Sequence, residues 1–184
     1  MKGIGLDKID CLAVRVASAI EGARIVHRLD MDTSGVIVMA RDAGTHRELS
    51  RQFQDREVEK EYTAEVGGVV KDERGVIDIP IRKDMDHPPK QCVDVEFGKP
   101  SQTLWKVLQR SIDRSRLELK PITGRSHQLR IHLCEIGHPI IGDDLYAPPE
   151  IQAMGERLML HATALSITHP ATGERMTCSV PCPF

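Results

Sequence analysis

The chain has 184 residues, 40% of them hydrophobic and 28% charged, which suits one domain with a sizeable core. Its 25 Lys and Arg against 27 Asp and Glu give a formal net charge of −2, excluding an indiscriminately basic nucleic-acid coat but not a basic face on a neutral body. There is no run of 18 apolar residues and no apolar stretch among the first ten, so the expectation is a cytoplasmic protein with no membrane contact. A monomer is expected as well.

Leu6, Ile9, Leu12, Ala13, Val16 and Ile20 recur at helical spacing and predict an amphipathic helix over 6–20. Two apolar, β-branched stretches, 23–30 and 35–42, predict strands joined by the polar link Met31-Asp32-Thr33-Ser34. The charged segment 45–59, with Leu49 and Phe53 four apart, predicts a surface helix, and 62–70 a strand. Ile77, Ile79 and Ile81 alternate along a strand over 76–81, and residues 103–112 and 116–122 predict a hairpin turning at Asp113-Arg114. Thr123-Gly124 breaks that run before a helix over 126–136, which Gly137 ends. Strands over 160–168 and 176–180 flank the turn Pro170-Ala171-Thr172-Gly173, while 83–91 and 143–150, each with paired prolines, read as loops. The pattern predicts an α+β fold in one domain, with a mixed, mainly antiparallel sheet and flanking helices.

Several short motifs fail on their chemistry. Asp30-Met31-Asp32-Thr33-Ser34-Gly35 imitates the start of a calcium loop, but position twelve, which needs a bidentate Glu, is Arg41. Gly98-Lys99-Pro100-Ser101 imitates the end of a phosphate loop, but Val93 stands where its first Gly belongs. His127 and His132 are five apart without the Glu of a zinc helix, and five irregularly spaced cysteines point to reduced thiols. The expectation from these motifs is no metal and no nucleotide cofactor.

Two polar clusters remain. His27-Arg28-Leu29-Asp30 ends an apolar stretch and runs into Thr33-Ser34-Gly35; taken alone, Asp30 reads as a turn residue that accepts backbone N–H groups. Thr123-Gly124-Arg125-Ser126-His127-Gln128-Leu129-Arg130 opens a helix with two Arg, a composition that suits an anion as well as it suits solvent. Arg outnumbers Lys 16 to 9, which favours planar recognition of phosphate or carboxylate.

Together, HRLDMDTSG, Lys60-Glu61-Tyr62-Thr63-Ala64, TGRSHQLR, GHPIIGD and Leu160-His161-Ala162 resemble the RluA family of pseudouridine synthases, from about residue 7 to the C-terminus. The resemblance implies a cleft across the middle of the sheet, a nucleophilic aspartate at Asp30, an aromatic partner at Tyr62 and a basic partner at Arg130 beside Asp30. It further implies an RNA substrate, a uridine in an rRNA or tRNA stem-loop, isomerised without metal or organic cofactor. Arg28, two residues before Asp30, is then the candidate to fill the stack left by a flipped base. Arg125 is a second cation for RNA, and Leu160 an apolar wall. His27 and His127 lie inside the motifs with no chemical step assigned to them. Members of the family carry a further strand segment before the point where this chain begins. Its apparent absence makes a non-catalytic RNA-binding domain the alternative expectation, and a nucleoside hydrolase a weaker third.

Overall fold

A computed structural model describes residues 11–184. Helix α1 (Leu12–Ala19) is the described part of the helix expected over 6–20; residues 6–10 lie outside the described residues. The chain then passes through three two-residue strands, β1 (Arg24–Ile25), β2 (Ser34–Gly35) and β3 (Met39–Ala40). Helix α2 (Ala43–Gln54) follows. Next come β4 (Glu59–Gly67), β5 (Arg74–Asp78), β6 (Ile81–Lys83), β7 (Gln91–Val93), β8 (Gln102–Arg110) and β9 (Arg114–Pro121). Helices α3 (Gln128–Glu135) and α4 (Pro149–Gln152) precede β10 (Leu160–Thr168) and β11 (Arg175–Ser179).

The main sheet runs β11-β10-β4-β9-β8-β5 with every neighbouring pair antiparallel; β2 adds to β10 in parallel. This is the mixed, mainly antiparallel α+β fold that the sequence predicts. Its long strands alternate: along β9, Ser115, Leu117, Leu119 and Pro121 are buried while the intervening residues are more exposed. Ala64 and Val66 of β4, Leu117 and Leu119 of β9 and Leu133 of α3 form the main core beneath the sheet. Each such Leu buries a side chain worth about 1.5–3 kcal/mol. A second cluster, including Leu49 of α2 with Leu165 and Ile167 of β10, anchors α2 to the other end of the sheet.

Four expectations change. The strand expected over 76–81 breaks at Ile79-Pro80, leaving β5 in the main sheet and β6 paired with β7. The strands expected over 23–30 and 35–42 survive only as the pairs Arg24↔Ala40 and Ile25↔Met39. Between them the ladder gives way to a side chain, as His27 Nε2 accepts the Val38 N–H at 3.0 Å. Val26, Val36 and Val38 are apolar because they pack on the second core cluster, and the strand-like composition reports that packing. Helix α2 begins two residues early because Asp42 caps it, accepting the Thr45 N–H at 2.8 Å. It ends early too, at Gln54, with Arg56 in left-handed backbone at φ 61°. Finally, the proline-rich loop at 83–91 is the tip of a two-stranded hairpin, Ile81↔Val93 to Lys83↔Gln91.

Candidate active site

The irregular 27–35 segment is pinned at both ends of Asp30. The Thr33 N–H closes a turn onto the Asp30 carbonyl at 3.1 Å, and β2 then lies on β10 in the register Ser34↔His161 and Gly35↔Ala162. Arg157 donates to Ser34 Oγ at 2.7 Å, and that hydroxyl shares a hydrogen bond with His161 Nδ1 at 2.8 Å. Gly35 permits the approach. Its φ is +118°, and a Cβ there would fall 2.6 Å from the Ala162 nitrogen and closer still to the Ala162 carbonyl oxygen. The glycine of the TSG motif thus seats the Asp30 loop on the sheet.

On the sheet, Tyr62 sits mid-strand in β4, opposite Ala162 on one side and Leu119 on the other. A register shift in β10 between Ala162 and Ala164 falls beside it, a local kink of the kind that re-aims side chains near active sites. The third wall is the loop before α3, and Gln128 builds it. Its buried amide donates to the Gln102 carbonyl and Thr103 Oγ1, both at 3.0 Å, and accepts from Thr123 Oγ1 at 2.7 Å and the Arg125 N–H at 3.0 Å.

These walls enclose a cavity of about 220 Å³. Arg28, Asp30, Tyr62, Arg125 and Leu160, five of the six residues singled out from sequence, line it. Among the described residues neither the Asp30 carboxylate nor the Tyr62 hydroxyl has a hydrogen-bond partner, and Arg28 is exposed without an ion pair. Burial first, and the charge of Asp30 second, push the Tyr62 hydroxyl up to about 12, so it stays an O–H at neutral pH. Leu160 does double duty as 2%-exposed core and cavity wall.

Arg130 is the exception. It is 3% exposed, off the cavity lining, and paired elsewhere: Nε donates to Asp143 at 2.8 Å, and Nη2 to Asp143 and to Asp144. Burial alone would lower its pKa, but hydrogen bonds to Asp143 outweigh that and hold it above the ordinary value. The expected pairing with Asp30 is therefore replaced by a buried bidentate pair. Asp143 is fully buried and its Oδ1 also takes the N–H groups of Leu145 and Tyr146, so it ties the 143–150 loop to α3.

Sequence reading assigned no role to four further residues lining the cavity, His27, Phe53, Lys60 and Gln128. His27 stacks on Phe53 with ring centroids 4.5 Å apart. Burial first, then the charge of Lys60, lowers the His27 pKa to about 4, so its ring is neutral. For Lys60 a signal existed, since it stands two residues before Tyr62 on a strand and shares its face. His127, at φ 54° before α3, accepts a hydrogen bond on Nδ1 from Tyr146 at 2.7 Å, because Tyr146 Oη already takes the Gln91 N–H.

A family model for RNA pseudouridylate synthases matches residues 7–135. The chain belongs to the RNA pseudouridylate synthase family. Among curated relatives, the dual-specificity RNA pseudouridine synthase RluA of Escherichia coli K12 is 49% identical over 95% of this chain and 80% of its own. The protein of that name from Yersinia pestis is 51% identical over 91% and 82%. The solved human RNA pseudouridylate synthase domain containing 1 matches with a TM-score of 0.83 at 32% identity, over 94% of this chain and 74% of that one. These likenesses favour a pseudouridine synthase over a binding module on the same scaffold. Among the described residues no helix is long and apolar enough to cross a membrane.

Proposed function

We propose that this pseudouridine synthase acts through Asp30 on a uridine presented by a stem-loop of ribosomal or transfer RNA. The observation that carries this reading is the pairing, in one cavity, of an Asp30 carboxylate and a Tyr62 hydroxyl that have no hydrogen-bond partners among the described residues. A carboxylate so placed can attack the sugar or the pyrimidine ring, or take up a proton. The N1–C1′ bond breaks, the uracil turns, a C5–C1′ bond forms, and the C5 proton is lost as N1 gains one. No electrons are exchanged with a cofactor, so the reaction itself calls for none.

The other residues take positions in the same scheme. Tyr62 offers a ring face for the uracil, a stack worth about 1–3 kcal/mol, and an O–H that donates. Leu160 backs the base, Arg28 fills the stack it leaves, and Arg125 faces RNA phosphate. The Arg130–Asp143 pair holds α3 against the 143–150 loop, so Arg130 positions the Arg125 wall. Residues 1–184 act as one catalytic domain, a monomer in the cytoplasm, where such RNAs are met.

A neutral body with six Phe, Trp and Tyr residues cannot hold long RNA by bulk charge or repeated stacking. A loop with splayed bases lowers the cost of flipping. The test compares a stem-loop with an uninterrupted duplex carrying the same uridine at fixed salt, scoring pseudouridine by carbodiimide labelling. The loop is expected to be modified faster; equal rates would overturn the loop preference, and no product from either would overturn the activity.

A further inference from the structure

Lys60 is a half-buried cation in the cavity that no step above uses. It stands two residues before Tyr62 in β4, so both side chains leave the same sheet face. Its Nζ donates to the Thr123 carbonyl at 3.4 Å, a long bond that engages one of three N–H donors. No carboxylate lies within ion-pair distance of it among the described residues. Gly124 keeps the space beside Nζ open, since a Cβ there would sit 3.6 Å from that atom. Burial first, with the charge of Arg56 second, pushes its pKa down to about 8. A partly dehydrated ammonium with two spare donors is costly unless an acceptor offsets it.

Two acceptors arrive with an RNA substrate, phosphate oxygens and the carbonyl oxygens of the base. Arg28 is exposed, where a backbone can pass, whereas Lys60 is half-buried and near enough to His27 for its charge to lower the pKa of that ring. The half-buried position favours the base. Uracil presents the O4 acceptor where cytosine carries its N4 amino donor, whereas both share O2, so a fixed cationic donor aimed at that position bonds uracil and repels cytosine.

Building on the pseudouridine synthase reading, we propose that Lys60 is a specificity residue that donates a hydrogen bond to O4 of the flipped uracil and rejects cytosine. A site built to hydrogen-bond its ligand discriminates strongly because the wrong partner leaves a buried donor unmet.

The experiment uses one stem-loop RNA carrying either uridine or cytidine at the target position, with Kd measured across a salt series. In Lys60→Met, binding of the uridine RNA is expected to weaken about ten- to hundredfold. Binding of the cytidine RNA should hold or improve, so that the preference collapses, and Lys60→Arg should restore part of it. Equal weakening of both RNAs with a shallower salt slope would make Lys60 a phosphate clamp and overturn the proposal. An unchanged preference would reduce Lys60 to its contact with Thr123 and overturn it equally. If Lys60→Met does not fold, Lys60→Gln reports the same ratio. Pseudouridine formation by the unaltered protein is scored in parallel; its absence would indict the activity itself, independently of the preference measured in the variants.

Discussion

Replacing Arg130 with Met separates a structural from a catalytic assignment for that residue. The guanidinium is 3% exposed and held by Asp143, whose side chain is itself 1% exposed. Removing it strands a buried carboxylate that keeps only two backbone donors, from Leu145 and Tyr146. Asp144 is 59% exposed and simply rehydrates. Breaking a buried pair on one side costs about 3–5 kcal/mol. In a chain of this length each kcal/mol shifts Tm by about 2–4 °C, so Arg130→Met is expected to melt roughly 6–20 °C lower. The double variant Arg130→Met with Asp143→Leu leaves no buried charge and should recover much of that loss. Thermal unfolding followed by circular dichroism reads both. If Arg130→Met kept its Tm within about 2 °C while losing turnover, the buried pair would be incidental and Arg130 would belong with Asp30 after all.

Gly35→Ala forces a Cβ onto the Ala162 backbone at φ +118°, so β2 should lift from β10, with a lower Tm and most pseudouridine formation lost; parental activity would mean the Asp30 loop does not need that seat. His27, held down to about 4, stays neutral in the folded chain while the unfolded chain takes up a proton below 6.5, so stability should be complete above pH 6.5 and fall toward pH 4, by up to about 3 kcal/mol. His27→Gln keeps an acceptor for the Val38 N–H but does not titrate, and its denaturant midpoint should change less between pH 7 and 4.5 than the parent's; equal changes would remove His27 from that dependence. Tyr62→Phe should retain RNA affinity and Tyr62→Ala lose about 1–3 kcal/mol of it, with pseudouridine yield from the Phe variant deciding whether the hydroxyl takes part. Near-parental activity of both would take Tyr62 out of the site.

Legibility in the sequence followed the range of the forces involved. The long strands β8, β9 and β10 could be read because alternation is a local pattern, and α3 because Gly137 ends it in left-handed backbone at φ 81°. Asp30, Tyr62 and Arg28 came from motif resemblance, and the cavity does bring them together. The segment around Asp30 misled because His27 and Val38 exchange a side chain-to-backbone bond where a ladder would run, and no periodicity encodes that. The partner of Arg130 was equally hidden. Asp143 lies thirteen residues on, in a stretch that composition marks only as a loop, and the fold alone puts the two together. Gln128 was visible as a motif letter, but its purpose is to bond β8, twenty-six residues upstream.

The most direct measurement is pseudouridine formation by Asp30→Asn on a target stem-loop, alongside its RNA affinity and Tm. Asn keeps the shape of the side chain but cannot act as an anionic nucleophile or base. Asp30 donates to and accepts from no other described residue through its side chain, so the substitution disturbs no internal bond. The expected result is turnover abolished while affinity and Tm stay at parental values. Turnover within tenfold of the parent would contradict the assignment of Asp30 as the group that drives the reaction.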